Sequence, residues 1–318
     1  MSNISGQVFA LNRLTAVAWL RLLFVLALAV AVALTPGFLS APSLLTLLTT
    51  VSFVGCVAVG MTFITLSGNI MSFSLGATVA ACAVTFVMVL NGAGLIAGII
   101  AALAVGALLS AAQGAIIDGL RANPIIVSIA ALALIHGGLN FITGNATTNA
   151  NPGAGHEVLR GKLFGLPIEF VALMILVVLG QLILSWTTFG RHIYFVGSGV
   201  RAAEAVGLRV GWVVTGAYFL AGLFSAVAGI LLGLRYNQAN MEYGIGYDYD
   251  AIAAILVGGT AIQGGHGSAI RTFAGVIFIA TIQVLLLLHG FRQEWQYLIA
   301  GIIVLLVVML QTAERRRV

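Results

Sequence analysis

The stretch TTFGRHIYFVGSGVRAAEAVGLRV, from Thr187 to Val210, is a polar island between two long apolar runs. It holds three arginines, one glutamate and one histidine, whereas only 7% of the whole chain is charged. The 318 residues are 61% hydrophobic and have a mean hydropathy of +1.12. Soluble domains carry roughly 25% charged residues, because a water-facing surface needs them. The composition therefore predicts a membrane protein with several spans.

Apolar runs long enough to cross a bilayer recur on both sides of the island. A helical span needs about 20 apolar residues. This length predicts an all-α polytopic membrane protein, one domain over 1–318, with about ten transmembrane helices: 15–35, 48–66, 74–90, 94–118, 124–142, 167–187, 211–234, 248–263, 270–289 and 295–311. The run at 248–263 is short and bounded by glycine, which predicts a partial or tilted helix. Residues 15–34 also suit a signal peptide, but the many later spans favour a retained first helix.

The distribution of positive charge predicts the orientation of these spans. Lys and Arg concentrate in cytoplasmic loops. Ten spans with an inner N-terminus place these residues inside: Arg13, Arg21, Arg121, Arg191, Arg201, Arg209, Arg271 and Arg315 to Arg317. They leave these outside: Arg160, Lys162, Arg235 and Arg292. Both termini and the island are therefore predicted to be cytoplasmic.

Two short similar segments indicate an internal repeat. GLRANP begins at Gly119 and GFRQEW at Gly290, each before an apolar run, so that Arg121 and Arg292 are 171 residues apart. Five spans separate the copies, an odd number, which gives them opposite orientations. The sequence thus predicts an inverted repeat of two five-helix halves, a common plan in transporters.

Two polar breaks interrupt the apolar runs. They are LSGNIMSFSLG, from Leu66 to Gly76, and VGGTAIQGGHGS, from Val257 to Ser268. Non-helical backbone at membrane depth is tolerated only where protein or a water-filled cavity satisfies its polar groups. We interpret the breaks as hinges or as the lining of a solute path. Two ordinary surface turns are the alternative.

A few uncharged polar side chains and histidines fall in or beside the spans. Such groups belong in the bundle interior, where they bond between helices or contact a polar substrate. The candidates for a substrate pathway are Asn69, Ser72, Gln113, His136 and Asn140. The carboxylates, including Asp248 and Asp250, all fall near predicted span ends. Their position disfavours a proton relay, which needs an acid within a span.

The chain lacks the residues of a hydrolytic enzyme. It has no G-x-x-x-x-G-K-[ST] phosphate loop, and its only lysine, Lys162, falls in a predicted outer loop. No cluster has the spacing of metal ligands, and Cys56 and Cys82 lie in apolar runs, as buried thiols do. We therefore expect no catalytic residue, no metal and no cofactor bound by this chain.

Within the island, SGVRAAEAVGL is predicted to form a short helix. Ser198 suits the N-cap and Gly207 the C′ position. Arg201, Glu204 and Leu208 recur at helical spacing, beside a face of Val200, Ala203 and Gly207. The helix either rests on the membrane surface or its own bundle, or docks a cytoplasmic partner with its small face in a groove.

Three segments resemble one family of transport proteins. The island resembles the central cytoplasmic loop of the membrane subunits of ABC importers for monosaccharides, of the ribose/xylose/arabinose type. GYDYDAIAAILVGGTAIQGGHGS, from Gly246, and VGMTFITLSGNIMSFSLG, from Val59, are similar to two further signatures of that family. The similarity extends from about Ala41 to Gln311.

The resemblance implies a permease of the bacterial inner membrane with a ten-span inverted repeat. It implies a second permease subunit, identical or related, and a periplasmic sugar-binding protein. A cytoplasmic ABC ATPase, which carries ATP and Mg, would grip the coupling loop at 188–209. The coupling residues would be Phe189, Gly190, Arg191, Ser198, Gly199, Arg201, Ala203, Glu204, Gly207 and Leu208.

The expected function is passage of a monosaccharide or similar small polar solute, powered by that separate ATPase. The alternatives are an importer subunit for a polyol, a sugar-derived signal, a nucleoside or a branched-chain amino acid, or an ATP-independent secondary transporter. Two departures from the family pattern stand out: 68–76 lacks the usual acid, and His266 stands where arginine is common. The first lies near the expected solute path and bears on which sugar is carried.

Overall fold

The structure is a computed structural model that describes residues 28, 30–69, 71–151, 162–163 and 165–315. Eleven helices within these ranges have assigned bounds: α1 (Ala41–Leu66), α2 (Leu75–Ala93), α3 (Leu95–Gly119), α4 (Pro124–Thr143), α5 (Ile168–Trp186), α6 (Thr188–Ser198), α7 (Val200–Ala205), α8 (Val210–Tyr236), α9 (Tyr247–Val257), α10 (Ala269–Leu288) and α11 (Gln293–Arg315). Four two-residue strands are also present: β1 (Thr148–Asn149), β2 (Lys162–Leu163), β3 (Leu166–Pro167) and β4 (Gln238–Ala239). They form two antiparallel pairs, β1 with β4 and β2 with β3.

The helices confirm an all-α polytopic membrane protein. Among the described residues, seven helices are long and apolar enough to cross a bilayer: α1 to α5, α8 and α10. The predicted short span at 248–263 is an 11-residue helix that ends at Val257, where the chain turns through Gly258 and Gly259. The predicted first span, 15–35, lies mostly outside the described residues, although 30–34 are helical.

Helix α8 lies at the centre of the bundle, packed against α1, α2 and α3. Glycines bring these backbones together. A Cβ on Gly106 would lie 2.7 Å from the carbonyl oxygen of Gly222, and one on Gly229 would lie 2.6 Å from that of Val79. Small residues allow this close packing in bilayers, where apolar burial gives little force between helices.

The helix bounds support the predicted repeat. Displaced by 171 residues, α1 corresponds to 212–237 and α3 to 266–290, and α8 and α10 occupy 210–236 and 269–288. The same displacement brings α4 onto α11 and the start of α2 onto the start of α9. Only α9 is much shorter than its counterpart. The second half therefore repeats the helix order of the first, with a truncated helix at α9.

The connecting segments gather at the two ends of the bundle. At one end, the first break, the α3–α4 turn and the island line a common cavity of about 580 Å³. At the other, Asn91 donates to the Asn149 carbonyl at 2.8 Å, and Arg235 pairs with Glu169 at 3.2 Å. The segments predicted to be cytoplasmic thus lie at one end of the bundle and those predicted to be outside lie at the other. Which end faces the cytoplasm stays a prediction.

Candidate functional site

The polar island folds as two helices that meet at Gly199. Thr187 caps α6 by accepting a hydrogen bond from the Gly190 amide at 3.0 Å. The predicted N-cap role of Ser198 is wrong, because α6 continues through Ser198 and Gly199 precedes α7. The Ser198 hydroxyl instead donates to the Tyr194 carbonyl at 2.5 Å. The helix extends this far because its apolar residues Ile193 and Val196 are buried in the core.

The end of α7 follows the prediction. Gly207 has a φ of +82°, the left-handed conformation expected of a C′ glycine. The Leu208 amide donates to the Ala203 carbonyl at 3.0 Å across this turn.

The exposed surface of the island differs in part from the predicted docking face. Arg201 and Glu204 are exposed, and so is Gly207. Ala203 is fully buried, so its predicted position in a partner's groove is wrong for this structure. One face of a short helix must pack on the bundle, and Ala203 lies on that face. The surface open to a partner combines these two charges with exposed apolar residues, of which Val200 and Val206 are 46% and 65% exposed.

The remaining coupling candidates divide into packing and exposed residues. A Cβ on Gly216 of α8 would lie 2.7 Å from the Phe189 ring, so this ring fixes α6 against α8. Gly190 is buried where a side chain would collide with the Ile183 and Leu184 carbonyls at the end of α5. Arg191 and Ser198 are exposed.

The two polar breaks contact each other at the end of the bundle that carries the island. The Gly265 amide donates to the Leu66 carbonyl at 3.1 Å. A Cβ on Gly264 would lie 2.6 Å from Cα of Gly68. The breaks are almost 200 residues apart in sequence, yet their backbones touch.

Helix α6 touches both breaks at the same point. A Cβ on Gly197 would collide with the Leu66 carbonyl oxygen and lie 2.5 Å from the Gly265 amide nitrogen. Three segments thus meet through backbone contacts that leave no room for side chains. We call this the glycine junction, formed by Leu66, Gly68, Gly197, Gly264 and Gly265.

A hydrogen bond beside the glycine junction fixes α6 to the second break. The Tyr194 hydroxyl donates to the Gly267 carbonyl at 2.8 Å. Burial raises the pKa of this phenol, and the nearby positive charge of Arg271 opposes the rise. The phenol therefore remains a proton donor at neutral pH.

Replacing Tyr194 with phenylalanine is expected to lower the transport rate several-fold without loss of folded protein. The change removes one hydrogen bond, of about 1 kcal/mol, and keeps the ring. Solute uptake and the amount of protein in the membrane are the measurements. Tyr236→Phe, at an exposed tyrosine on the opposite end of the bundle, is the control and should transport as the wild type does.

Polar groups surround the start of α2 inside the bundle. Ser74 donates to Oε1 of Gln113 at 2.6 Å, and its hydroxyl lies 3.0 Å from that of Ser72. The Gly76 amide donates to Oδ1 of Asp248 at 2.9 Å. Gln113 lies six residues before the end of α3, about 9 Å along the helix. Helix α2 thus begins within the bundle.

The two acids of α9 are placed differently from the prediction. Asp248 and Asp250 do lie in its first turn, as expected, but both are buried, at 7% and 5% exposure. They are buried because α9 itself begins inside the bundle, next to the start of α2. Gln283 of α10 lies close to Asp250, much as Gln113 of α3 lies close to Ser74. Asp248 thus supplies a carboxyl group to the start of α2, beside the first break.

The five pathway candidates do not form one site. Ser72 and Gln113 are together but buried, whereas Asn69 lines the cavity between the first break and the island. His136 is half-buried and Asn140 exposed on α4, a helix at the edge of the bundle. Sequence reasoning missed Tyr194 and Asp248, because each acts on a segment distant in sequence.

The comparisons with known proteins agree with this architecture. Residues 43–308 match the family described as "Branched-chain amino acid transport system / permease component". The chain belongs to this permease family. No solved structure matches it.

Several curated relatives match over most of the permease chain. It is 34% identical over 291 residues to the ribose import permease protein RbsC of Bacillus subtilis, which covers 91% of this chain and 90% of the relative. It is 32% identical to the autoinducer 2 import system permease protein LsrC of an Enterobacter species, over 88% and 82% of the two chains. LsrD of Yersinia pseudotuberculosis is 30% identical, over 80% and 79%.

Proposed function

We propose that this chain is the transmembrane subunit of an ABC importer that passes a monosaccharide or similar small polar solute across the bacterial inner membrane. The names of the relatives support the substrate class, since RbsC is a ribose permease and LsrC and LsrD are autoinducer 2 permeases. ATP and Mg belong to a separate ATPase in this proposal. This chain binds no cofactor and catalyses no reaction.

The contact of α6 with both breaks is the observation that supports the mechanism. The exposed α7 offers Arg201 and Glu204 to a cytoplasmic ATPase, and only Gly199 separates α7 from α6. Closure of the ATPase would move α6 at the glycine junction. Because the junction also holds the end of α1 and the segment between α9 and α10, this movement would shift both halves of the bundle and alternate access to the solute path.

Further partners complete the transporter. A second permease copy would cover the edge helix α4. Exposure of the polar side chains of His136 and Asn140 to lipid is unfavourable, whereas a solute path between two subunits would accommodate them. A periplasmic binding protein would deliver the solute at the end that carries Asn149 and Arg235. Both termini would be cytoplasmic, as the charge distribution predicts.

Exchange of the two island charges tests the docking surface. The double variant Arg201→Glu, Glu204→Arg keeps the composition and the exposed position of both side chains. We expect it to insert normally and to lose at least about tenfold in uptake, since two contacts of about 1 kcal/mol each become repulsive. Uptake and membrane content are the readouts. Arg201→Lys with Glu204→Asp, which keeps both charges in place, is the control and should transport as the wild type does. Normal uptake in the charge-exchanged variant would contradict the docking proposal.

A gentle detergent purification from the native membrane tests the proposed function. Co-purifying proteins are identified by mass spectrometry, and we expect an ATPase that contains a phosphate loop. A binding protein recovered with it is then titrated with ribose, other pentoses and branched-chain amino acids. Recovery of the chain alone, with solute carried in liposomes without ATP, would instead establish a secondary transporter.

A further inference from the structure

Helix α9 has a single exposed residue. Tyr249 is 61% exposed, whereas Asp248, Asp250 and the following alanines are buried against α1, α10 and α11. Tyr249 lies in the first turn of α9, beside the residue that caps α2. Tyr249 is therefore the one residue of α9 whose side chain faces out of the bundle, at the level where α9 begins.

An aromatic residue of the first break lies beside Tyr249. The ring of Phe73 is 6.3 Å from that of Tyr249, at an angle of 57°. Phe73 directly precedes Ser74, which is bonded to Gln113 about 9 Å inside the end of α3. The backbones of Gly76, at the start of α2, and Gly244, just before α9, approach each other closely. The two rings thus lie where α2 and α9 begin, at a level within the bundle.

The chemistry of Tyr249 does not suit hydrocarbon at this depth. Its hydroxyl has no hydrogen bond to any residue that the structure describes. A polar group without a partner costs several kcal/mol in hydrocarbon, and lipid-facing tyrosines are enriched at the two membrane surfaces. A water-filled path satisfies the hydroxyl and leaves the ring available to a solute.

We propose that Phe73 and Tyr249 form an aromatic contact in the solute path, against which a sugar ring packs its C–H face as it passes. The negative face of an aromatic ring attracts the weakly positive C–H edges of a pyranose or furanose, and the Tyr249 hydroxyl bonds a sugar hydroxyl. This site refines the proposed function and rests on it for the identity of the solute. It replaces the buried Ser72 and Gln113 as the residues that contact the solute.

The position of Tyr249 can be tested without knowing the solute. Tyr249→Cys is exposed in membranes to a charged, membrane-impermeant methanethiosulfonate reagent, applied to each side in turn. The native Cys56 and Cys82 are fully buried and give no background. Ile175→Cys is the control, because Ile175 is 55% exposed in the middle of α5.

We expect Tyr249→Cys to react at least tenfold faster than Ile175→Cys. Equal, slow reaction of the two would place Tyr249 in lipid and overturn the site, whatever the protein carries.

The role in sugar passage is tested with radiolabelled ribose in liposomes that contain the complete transporter. We expect Tyr249→Leu to take up ribose about tenfold more slowly, Tyr249→Phe to be intermediate, and ATP hydrolysis to persist in both. Phe219→Leu, a half-exposed aromatic of α8, should transport normally. Normal uptake by Tyr249→Leu would overturn the aromatic contact and leave the proposed function intact. A complete wild-type transporter that carries neither a monosaccharide nor a similar small polar solute in the presence of ATP would contradict both.

Discussion

Gly197→Ala is expected to abolish transport. The added methyl group would collide with the Leu66 carbonyl and lie 2.5 Å from the Gly265 amide nitrogen. Both neighbours are backbone atoms, so they cannot give way as a flexible side chain does. Since the Gly265 amide donates to the Leu66 carbonyl at 3.1 Å, the methyl group would also separate this bonded pair. We expect uptake to fall at least a hundredfold, with ATP hydrolysis by the complex no longer linked to uptake.

Gly301→Ala is the matched control for this variant. Gly301 lies in α11 with nothing within 4 Å of the position that a Cβ would take, so alanine is accommodated there. The control should insert and transport as the wild type does. Purification of both variants and size-exclusion chromatography separate a coupling defect from misfolding. A Gly197→Ala variant that transports normally would show that α6 does not act through the glycine junction.

Asp248→Ala is expected to destabilise the bundle by about 2 kcal/mol. The carboxylate accepts the Gly76 amide at 2.9 Å at the start of α2, and it is 7% exposed. Its removal leaves a buried amide without a partner. Asp248→Asn keeps an acceptor and should lose less. The measurement is the thermal unfolding midpoint of the purified protein in detergent.

An exposed acid near α9 provides the comparison for Asp248. Glu242 precedes the helix and faces solvent, so Glu242→Ala should leave the unfolding midpoint within experimental error. Equal midpoints for Asp248→Ala and Glu242→Ala would mean that the cap on α2 contributes nothing to stability. The result would then also weaken the view that the starts of α2 and α9 are held together.

The positions of the membrane-spanning helices along the chain are predictable because they depend on local composition. The apolar runs at 124–142 and 270–289 correspond to α4 and α10 within a few residues. The offset between Arg121 and Arg292 also gave the spacing of the repeat, which the helix bounds support. Gly207 was placed correctly, since a left-handed turn after a helix is a local requirement that glycine meets.

The contacts between distant segments were not predictable in the same way. Gly197 looks like any glycine of the island, and only the fold brings it against Leu66 and Gly265. The acids of α9 were placed at a helix end, but composition does not show that this end lies within the bundle. Ser198 was mistaken for a cap because the pattern of the island does not show where α6 stops.

ATP dependence of uptake tests most directly whether this permease is moved by a separate ATPase through α6 and α7. The complex purified from the native membrane is reconstituted in liposomes, and ribose uptake is followed with and without ATP and Mg on the side that carries Arg201. We predict uptake only with ATP on that side, and none with Gly197→Ala. Uptake by the chain alone, without ATP and driven by an ion gradient, would contradict the account.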